Sequence, residues 1–387
     1  MELTIAFIII CVGVLGFGNV EGNIYVTSFG ARGDGKTDDS QAFLKAWEAA
    51  CQAGGTKTLT VPGGKNFFLQ PLIFSGPCKS TVTFELLGTL LIPNPSEWKP
   101  NKNNRWIGFK DIEALTVLGP GQIDGRGEAW WNYRTPADRP TSLHFNRCNN
   151  LQVREITSVN TPRNHISIHN CTGPTISNLN LFAPGESPNT DGIDVSLSSQ
   201  ITIKDSSIRT GDDCVAINGG VVGINITNVN CGPGHGISVG SLGRNGQTEI
   251  VEQVLVKHCT FNKTQNGARI KTIPGGKGYV KGVVYEDITL IEAGNPIMID
   301  QYYGCKDRCS SGASAVEISN VRFVGIKGTS VKKNAISMLC SDTKKCNDVG
   351  LEDVNITAAG EIKEVQSVCS NIEGYSRETT PPVPCFP

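Results

Sequence analysis

The sequence predicts an all-β fold, a parallel β-helix (β-solenoid) covered at its start by one helix, and three observations carry that prediction. First, one short pattern recurs: an apolar residue, a polar one, then Asn, Asp or His. It appears as Ile176-Ser-Asn178, Ile203-Lys-Asp205, Ile226-Thr-Asn228, Val256-Lys-His258, Tyr285-Glu-Asp287, Ile318-Ser-Asn320 and Leu351-Glu-Asp353, at intervals of 27, 23, 30, 29, 33 and 33 residues. Second, short stretches inside the units, such as Ile201-Thr-Ile203 and Ile224-Asn-Ile226, alternate apolar and polar residues with the period of a strand. Third, 44 glycines among 387 residues, with 7% aromatics and 18% charge, suit a chain rich in turns and strands and unlike a disordered one. Units of this size cannot bury a face alone, so they stack. A sandwich would also supply short strands, but not seven units sharing one internal pattern.

Taken in chain order, the first segment stands apart. Leu3 to Val20 carries no charge and holds the apolar run Ile5, Phe7, Ile8, Ile9, Ile10, Val12, Val14 and Leu15. Val20 and Gly22 are small enough to flank a cleavage site, so residues 1–22 read as a secretory leader and 23–387 as the mature solenoid domain. The leader lacks the usual basic start, having Glu2 instead, and an uncleaved membrane anchor is the competing reading. Losing Glu2 and Glu21 takes the net charge from −1 to +1, so recognition of any anion has to be local. Next, Asp38-Asp39-Ser40 precedes Ala42, Phe43, Ala46, Trp47, Ala49 and Ala50, an acidic cap followed by an apolar helical stripe placed to cover the open end of the core. At the far end, Cys369, Cys385 and a Pro-rich tail are positioned to close the other. Fourteen cysteines, thirteen after the leader, and the sequons at Asn170, Asn225, Asn262 and Asn355 fit an oxidising, secretory route. Cys305-x3-Cys309 has no second pair and no suitable His nearby, which argues against zinc. An odd count leaves at least one thiol free or buried.

Four polar clusters interrupt otherwise bland strands: Asn189-Thr-Asp191-Gly-Ile-Asp194, Gly211-Asp212-Asp213-Cys214, Gly234-His235-Gly236 and Arg269-Ile-Lys271. Asp191 to Asp212 is 21 residues and Asp212 to His235 is 23, each close to one coil. Stacked strands lie about 4.8 Å apart, so these side chains are expected on neighbouring rungs of one face. Arg269 and Lys271, two apart on a strand, point the same way. Asp212 and Asp213 would face opposite sides of a regular strand, so a bend is needed, and Gly211 is its expected place. Crowded carboxylates cannot all ionise easily; one should be raised and able to act as an acid beside an ionised partner, which is what glycoside hydrolysis requires. Asp194, Asp205, Asp287 and Asp353 read as turn caps. His144, His165, His169 and His258 read as structural or exposed, whereas His235 is set apart by its flanking glycines. A calcium site built from the same acids is the alternative use of the cluster.

Asn189-Thr-Asp191, Gly211-Asp212-Asp213, Gly234-His235-Gly236 and Arg269-Ile-Lys271, in this order, resemble the four signature motifs of the polygalacturonases, glycoside hydrolase family 28. The likeness runs from Phe29-Gly-Ala-Arg-Gly-Asp-Gly-Lys-Thr-Asp38 to the C-terminal cysteines and is most similar to pollen-type exopolygalacturonases, which release galacturonic acid from chain ends. It implies a single-stranded right-handed parallel β-helix and inverting hydrolysis of the α-1,4 bonds of pectic polysaccharide, with no metal or cofactor. It implies no nucleic-acid partner, no membrane once the leader is gone, and a secreted, wall-located monomer. By resemblance Asp212 is the proton donor, Asp191 and Asp213 activate water, His235 tunes the acid, and Arg269, Lys271, Asn189 and Tyr303 bind substrate. Gly304 stands where the family has a Cys straight after that Tyr. The resemblance also implies disulfides Cys214–Cys231, Cys340–Cys346, Cys369–Cys385, Cys51–Cys78 and Cys305–Cys309. Endo action, a calcium-dependent lyase on the same solenoid, and a catalytically silent wall-binding protein or allergen stay open as alternatives.

Overall fold

A computed structural model describes residues 22–100, 104–305 and 314–386. The apolar leader up to Glu21, and Cys309 with its pairing to Cys305, lie outside the described residues. The alternating stretches are strands, and they stack in register. Ile201, Thr202 and Ile203 pair with Ile224, Asn225 and Ile226 of the next coil. The apolar member of each repeat then forms a continuous interior ladder, Ile176–Ile203–Ile226–Val256–Tyr285–Phe323–Leu351, all fully buried. Every pairing among the described strands is parallel, in one sheet of twenty strands and a second of eleven, as a right-handed parallel β-helix requires.

The ladder corrects one repeat. Phe323, not Ile318, stands opposite Tyr285, and Ile318 pairs with Val280 in the neighbouring column. The polar third positions Asn178, Asp205, Asn228, His258, Asp287 and Asp353 all adopt left-handed backbone, with φ between 51° and 56°. The sixth member of that column is Gly325, at φ 64°, which meets the turn's demand with no side chain and so escaped a search for Asn, Asp or His. Asp205 accepts from Asn228 Nδ2 at 2.7 Å, and Asp287 meets His258 at 3.3 Å, so these acids hold turn positions as expected but bond to side chains along the column, where backbone caps were expected.

The helix α1 spans Ser40–Gln52 and buries Ala42, Phe43, Ala46, Trp47 and Ala50 over the open first coil. Trp47 packs on Phe74 and Phe109, and its Nε1 donates to the Ser75 carbonyl at 3.0 Å. The cap differs from expectation. Asp39 accepts from the backbone N–H groups of Arg32 and Gly33, tying down the preceding loop, while Asp38 accepts from the N–H and hydroxyl of Ser40. At the far end Val383 and Phe386 join the core, and Cys369–Cys385 fixes the tail. Cys51–Cys78, Cys214–Cys231 and Cys340–Cys346 are also bonded; Cys148, Cys171 and Cys259 are free and buried among the described residues.

Candidate active site

Four successive strands of the eleven-stranded sheet, Ile193–Ser196, Val215–Ile217, Ile237–Leu242 and Asn266–Thr272, align Ile193, Val215, Ile237 and Ala268. Two residues before the first three of these stand Asp191, Asp213 and His235, one per rung. The coil is 22 residues through Asp213, and the 21- and 23-residue spacing through Asp212 brackets it because Asp212 stands one position out of register. Ile270 faces the core between Arg269 and Lys271, so both cations emerge on the outer face, as two-residue spacing demands.

Asp212 and Asp213 precede their strand in irregular backbone and diverge. Gly211 does not turn by a left-handed angle; its reason is space, because a Cβ there would lie 1.9 Å from the Ser187 carbonyl oxygen. Asp212 accepts from His235 Nδ1 at 2.9 Å, from the Asp213 N–H at 2.9 Å and from Asn189 Nδ2 at 3.3 Å. The backbone doubles this link, since the His235 N–H donates to the Asp212 carbonyl at 2.7 Å. Gly236, at φ 87° with its absent Cβ only 2.3 Å from the Gly267 carbonyl oxygen, is the glycine beside His235 that the close stacking requires.

Asp213 is 1% exposed and fully engaged. Arg269 Nη2 donates to Oδ1 at 2.5 Å, Lys271 Nζ to Oδ2 at 2.8 Å, and Ser238 Oγ to Oδ1 at 2.9 Å. The two cations thus hold a carboxylate of the protein itself. Tyr303 lies in the turn after the Asn295–Asp300 strand, and the Lys271 ammonium sits 5.2 Å from its ring centre. All eight sequence-selected residues therefore reach this face.

The carboxyls divide electrostatically. Burial pushes Asp191 well above the ordinary range, and the neighbouring charges of Asp194, Asp212 and Asp213 add to it. Burial also pushes Asp212 up, but the His235 hydrogen bond and charge, with Lys271, outweigh it and hold Asp212 below its ordinary value. One raised carboxyl was expected; in the free protein it is Asp191, together with Asp194, and not the expected donor.

Asp194 is a correction. It is no turn cap: it lies on the Ile193–Ser196 strand facing the cluster, accepts from Asn164 Nδ2, and leaves Oδ1 buried without a partner among the described residues. Burial raises it to about 7, against the pull of Arg163. Arg139 was also missed. Buried in the loop after the Pro136–Asp138 turn, it donates to Asn189 Oδ1 at 2.8 Å and so turns the Asn189 amide to present its NH2 to Asp212. No spacing in the sequence links Arg139 to the motifs. Ser238 lies two residues beyond Gly236, and its register opposite Arg269 gives it its role. His165 is fully buried against Ser158 and structural, as expected.

Ligand atoms of Asp212, Asp213 and His235 lie within 4.8 Å of one another. Their chemistry does not suit calcium, which prefers oxygen ligands, since one donor is an imidazole and Asp213 is already neutralised by two cations.

Paired carboxyls stacked on adjacent rungs of a parallel β-helix are the arrangement of a glycoside hydrolase. The chain belongs to glycosyl hydrolases family 28, whose model matches residues 51–380. A probable polygalacturonase of Arabidopsis thaliana is 48% identical over 370 residues, covering 93% of this chain and 80% of that one. An exopolygalacturonase of Zea mays is 38% identical, covering 94% and 91%. The crystal structure of an endo-xylogalacturonan hydrolase from Aspergillus tubingensis superposes with a TM-score of 0.79 at 22% identity, over 91% of this chain and 100% of that one.

Proposed function

We propose that this protein hydrolyses the α-1,4 bonds of galacturonan by inversion, with Asp212 protonating the leaving oxygen and Asp191 with Asp213 directing water. The observation that carries the reading is the rung-by-rung stack of Asp191, Asp212–Asp213 and His235 beside Arg269 and Lys271. Asp212 has to gain a proton as substrate enters. A galacturonate carboxylate that shares Lys271 weakens its hold on the charge of Asp212, and exclusion of water penalises that charge further. Asn189, fixed by Arg139, and Tyr303, against Lys271, would flank the sugar.

Chain-end release of galacturonic acid is the proposed mode, supported by the motif detail and by the likeness to the Zea mays exopolygalacturonase. Product analysis on polygalacturonate tests both levels. Monomer in the first minutes supports chain-end action, and mixed oligomers overturn it in favour of internal cutting. Unsaturated, ultraviolet-absorbing products that need calcium would overturn hydrolysis altogether. Secretion to the cell wall is proposed from the apolar leader, the disulfides and the four sequon asparagines, which are all exposed.

A further inference from the structure

Arg139 is a buried charge with no part in the proposed proton transfers. It is 3% exposed, and no carboxylate pairs with it among the described residues. Its guanidinium donates to three uncharged oxygens: the Pro188 carbonyl at 2.9 Å, the Trp131 carbonyl at 3.5 Å and Asn189 Oδ1 at 2.8 Å. Its Nε has no partner among the described residues. Burial and the charge of Arg163 both pull it below its ordinary value. A cation held this way costs stability, and the surrounding backbone is secured without it. Tryptophans dock its loop, Trp130 Nε1 donating to the Pro93 carbonyl at 3.2 Å and Trp131 Nε1 to the Thr161 carbonyl at 3.1 Å. The turn at 187–190 is tied by Ser187 Oγ to Thr190 Oγ1 at 2.7 Å, and by the Gly211 N–H to Thr190 Oγ1 at 2.9 Å. What Arg139 alone holds is the Asn189 amide.

We infer that Arg139 is a positioning residue for the proton donor, a latch that decides which end of the Asn189 amide faces Asp212. The inference rests on the proposed role of Asp212. An arginine carries donors only, so the Asn189 atom against it has to be the oxygen, and the NH2 is left for Asp212 Oδ2 at 3.3 Å. That NH2 supports the ionised carboxylate and offers nothing to an acid proton. Turned over, the same amide would present its oxygen and support the protonated acid instead. Arg139 forbids this, because the turned amide would set donor against donor. The latch thereby bears on the pH at which Asp212 takes up its proton. The other charges around Asp212 stand elsewhere: His235 on the next rung, Asp213 beside it, Lys271 across from it, and Asp191 with Asp194 on the preceding rung. Among the described residues the Asn189 side chain bonds only to Arg139 and Asp212, so releasing it removes none of their contacts.

The acidic limb of kcat/KM against pH, measured on galacturonate oligomers, tests the latch in Arg139→Met, in Asn189→Leu and in the two combined. Each single change should move the limb to higher pH by about 0.5–1 pH unit. In the Asn189→Leu background, Arg139→Met should move it no further. A limb that stays put in either folded single variant would assign the residue a merely structural role and overturn the inference. A second, equal move in the combined variant would show the arginine charge acting through space, and would overturn it too. Arg139→Gln, a shorter polar side chain, is the substitute where Arg139→Met does not fold, with the same expectation. The Asp212 carboxyl carbon, followed by NMR in Asp-labelled protein, reads the same proton without activity. A wild type that cuts no galacturonate oligomer would therefore overturn the functional reading, while the Asp212 titration in the same variants would still decide on Arg139.

Discussion

At the scale of single residues, the site is a set of carboxyls made unequal by their neighbours. Asp212→Asn keeps the shape and removes the transferable proton, so turnover should fall by about 10²–10⁴ with the melting temperature unchanged; near-normal turnover in the folded variant would remove Asp212 from the donor role. The reactive form needs Asp212 protonated and Asp191 ionised, the reverse of what their environments favour in the free protein. The acidic limb of kcat/KM should therefore follow Asp212, and the alkaline limb Asp191, as a coupled pair. His235→Ala deletes the partner that lowers Asp212, so the acidic limb should move to higher pH; a limb that stays put would detach His235 from that task. Asp194 is raised to about 7 from an ordinary 3.8. Its folded value lies above its unfolded value, so its contribution to stability is complete below about 3.8 and is lost as pH rises through about 7. Asp194→Asn should leave stability near pH 4 unchanged and raise it by about 1–2 kcal/mol at pH 7, read by denaturant unfolding at both pH values.

At the scale of elements, the turn column explains why the repeat was visible and where it failed. The turn requires a left-handed residue on each rung, and Asn, Asp and His are among the side-chain-bearing residues that tolerate it best. Gly325 satisfies the same requirement silently, so the pattern slid to Asn320, which is left-handed too but belongs to the adjoining column. Asn228→Val at such a position should cost about 1–3 kcal/mol, and Asn228→Gly much less, in thermal unfolding. Equal costs would show that the Asn228–Asp205 hydrogen bond, not the backbone angle, is what the column needs. The helix was legible from its apolar stripe. The use of Asp39 was not, because the N–H groups it accepts belong to a loop six and seven residues earlier.

At the scale of the whole molecule, exposed sequons at Asn170, Asn225, Asn262 and Asn355 lead to a direct expectation. Protein made in a eukaryotic secretory host should lose mass when treated with an N-glycanase, and retention inside the cell without glycans would overturn the secretory reading. Solenoid architecture also accounts for what could be read without coordinates. A coil length of 21 to 23 residues between Asp191, Asp212 and His235 converts sequence distance directly into spatial adjacency, because each rung repeats the one below. Composition and repeat period by themselves therefore determined the solenoid and the shared face of the four polar clusters, while Tyr303 and the role of each residue came from the family resemblance. Only the tertiary structure decided how those residues are paired: that Arg269 and Lys271 close on Asp213, that Asp194 joins the cluster, and that Arg139 turns Asn189 toward Asp212. Periodicity fixes which rung and face a residue occupies, but hydrogen bonding and burial depend on side chains brought together from different coils and from a loop outside the repeat. The sequence holds no spacing that records those meetings.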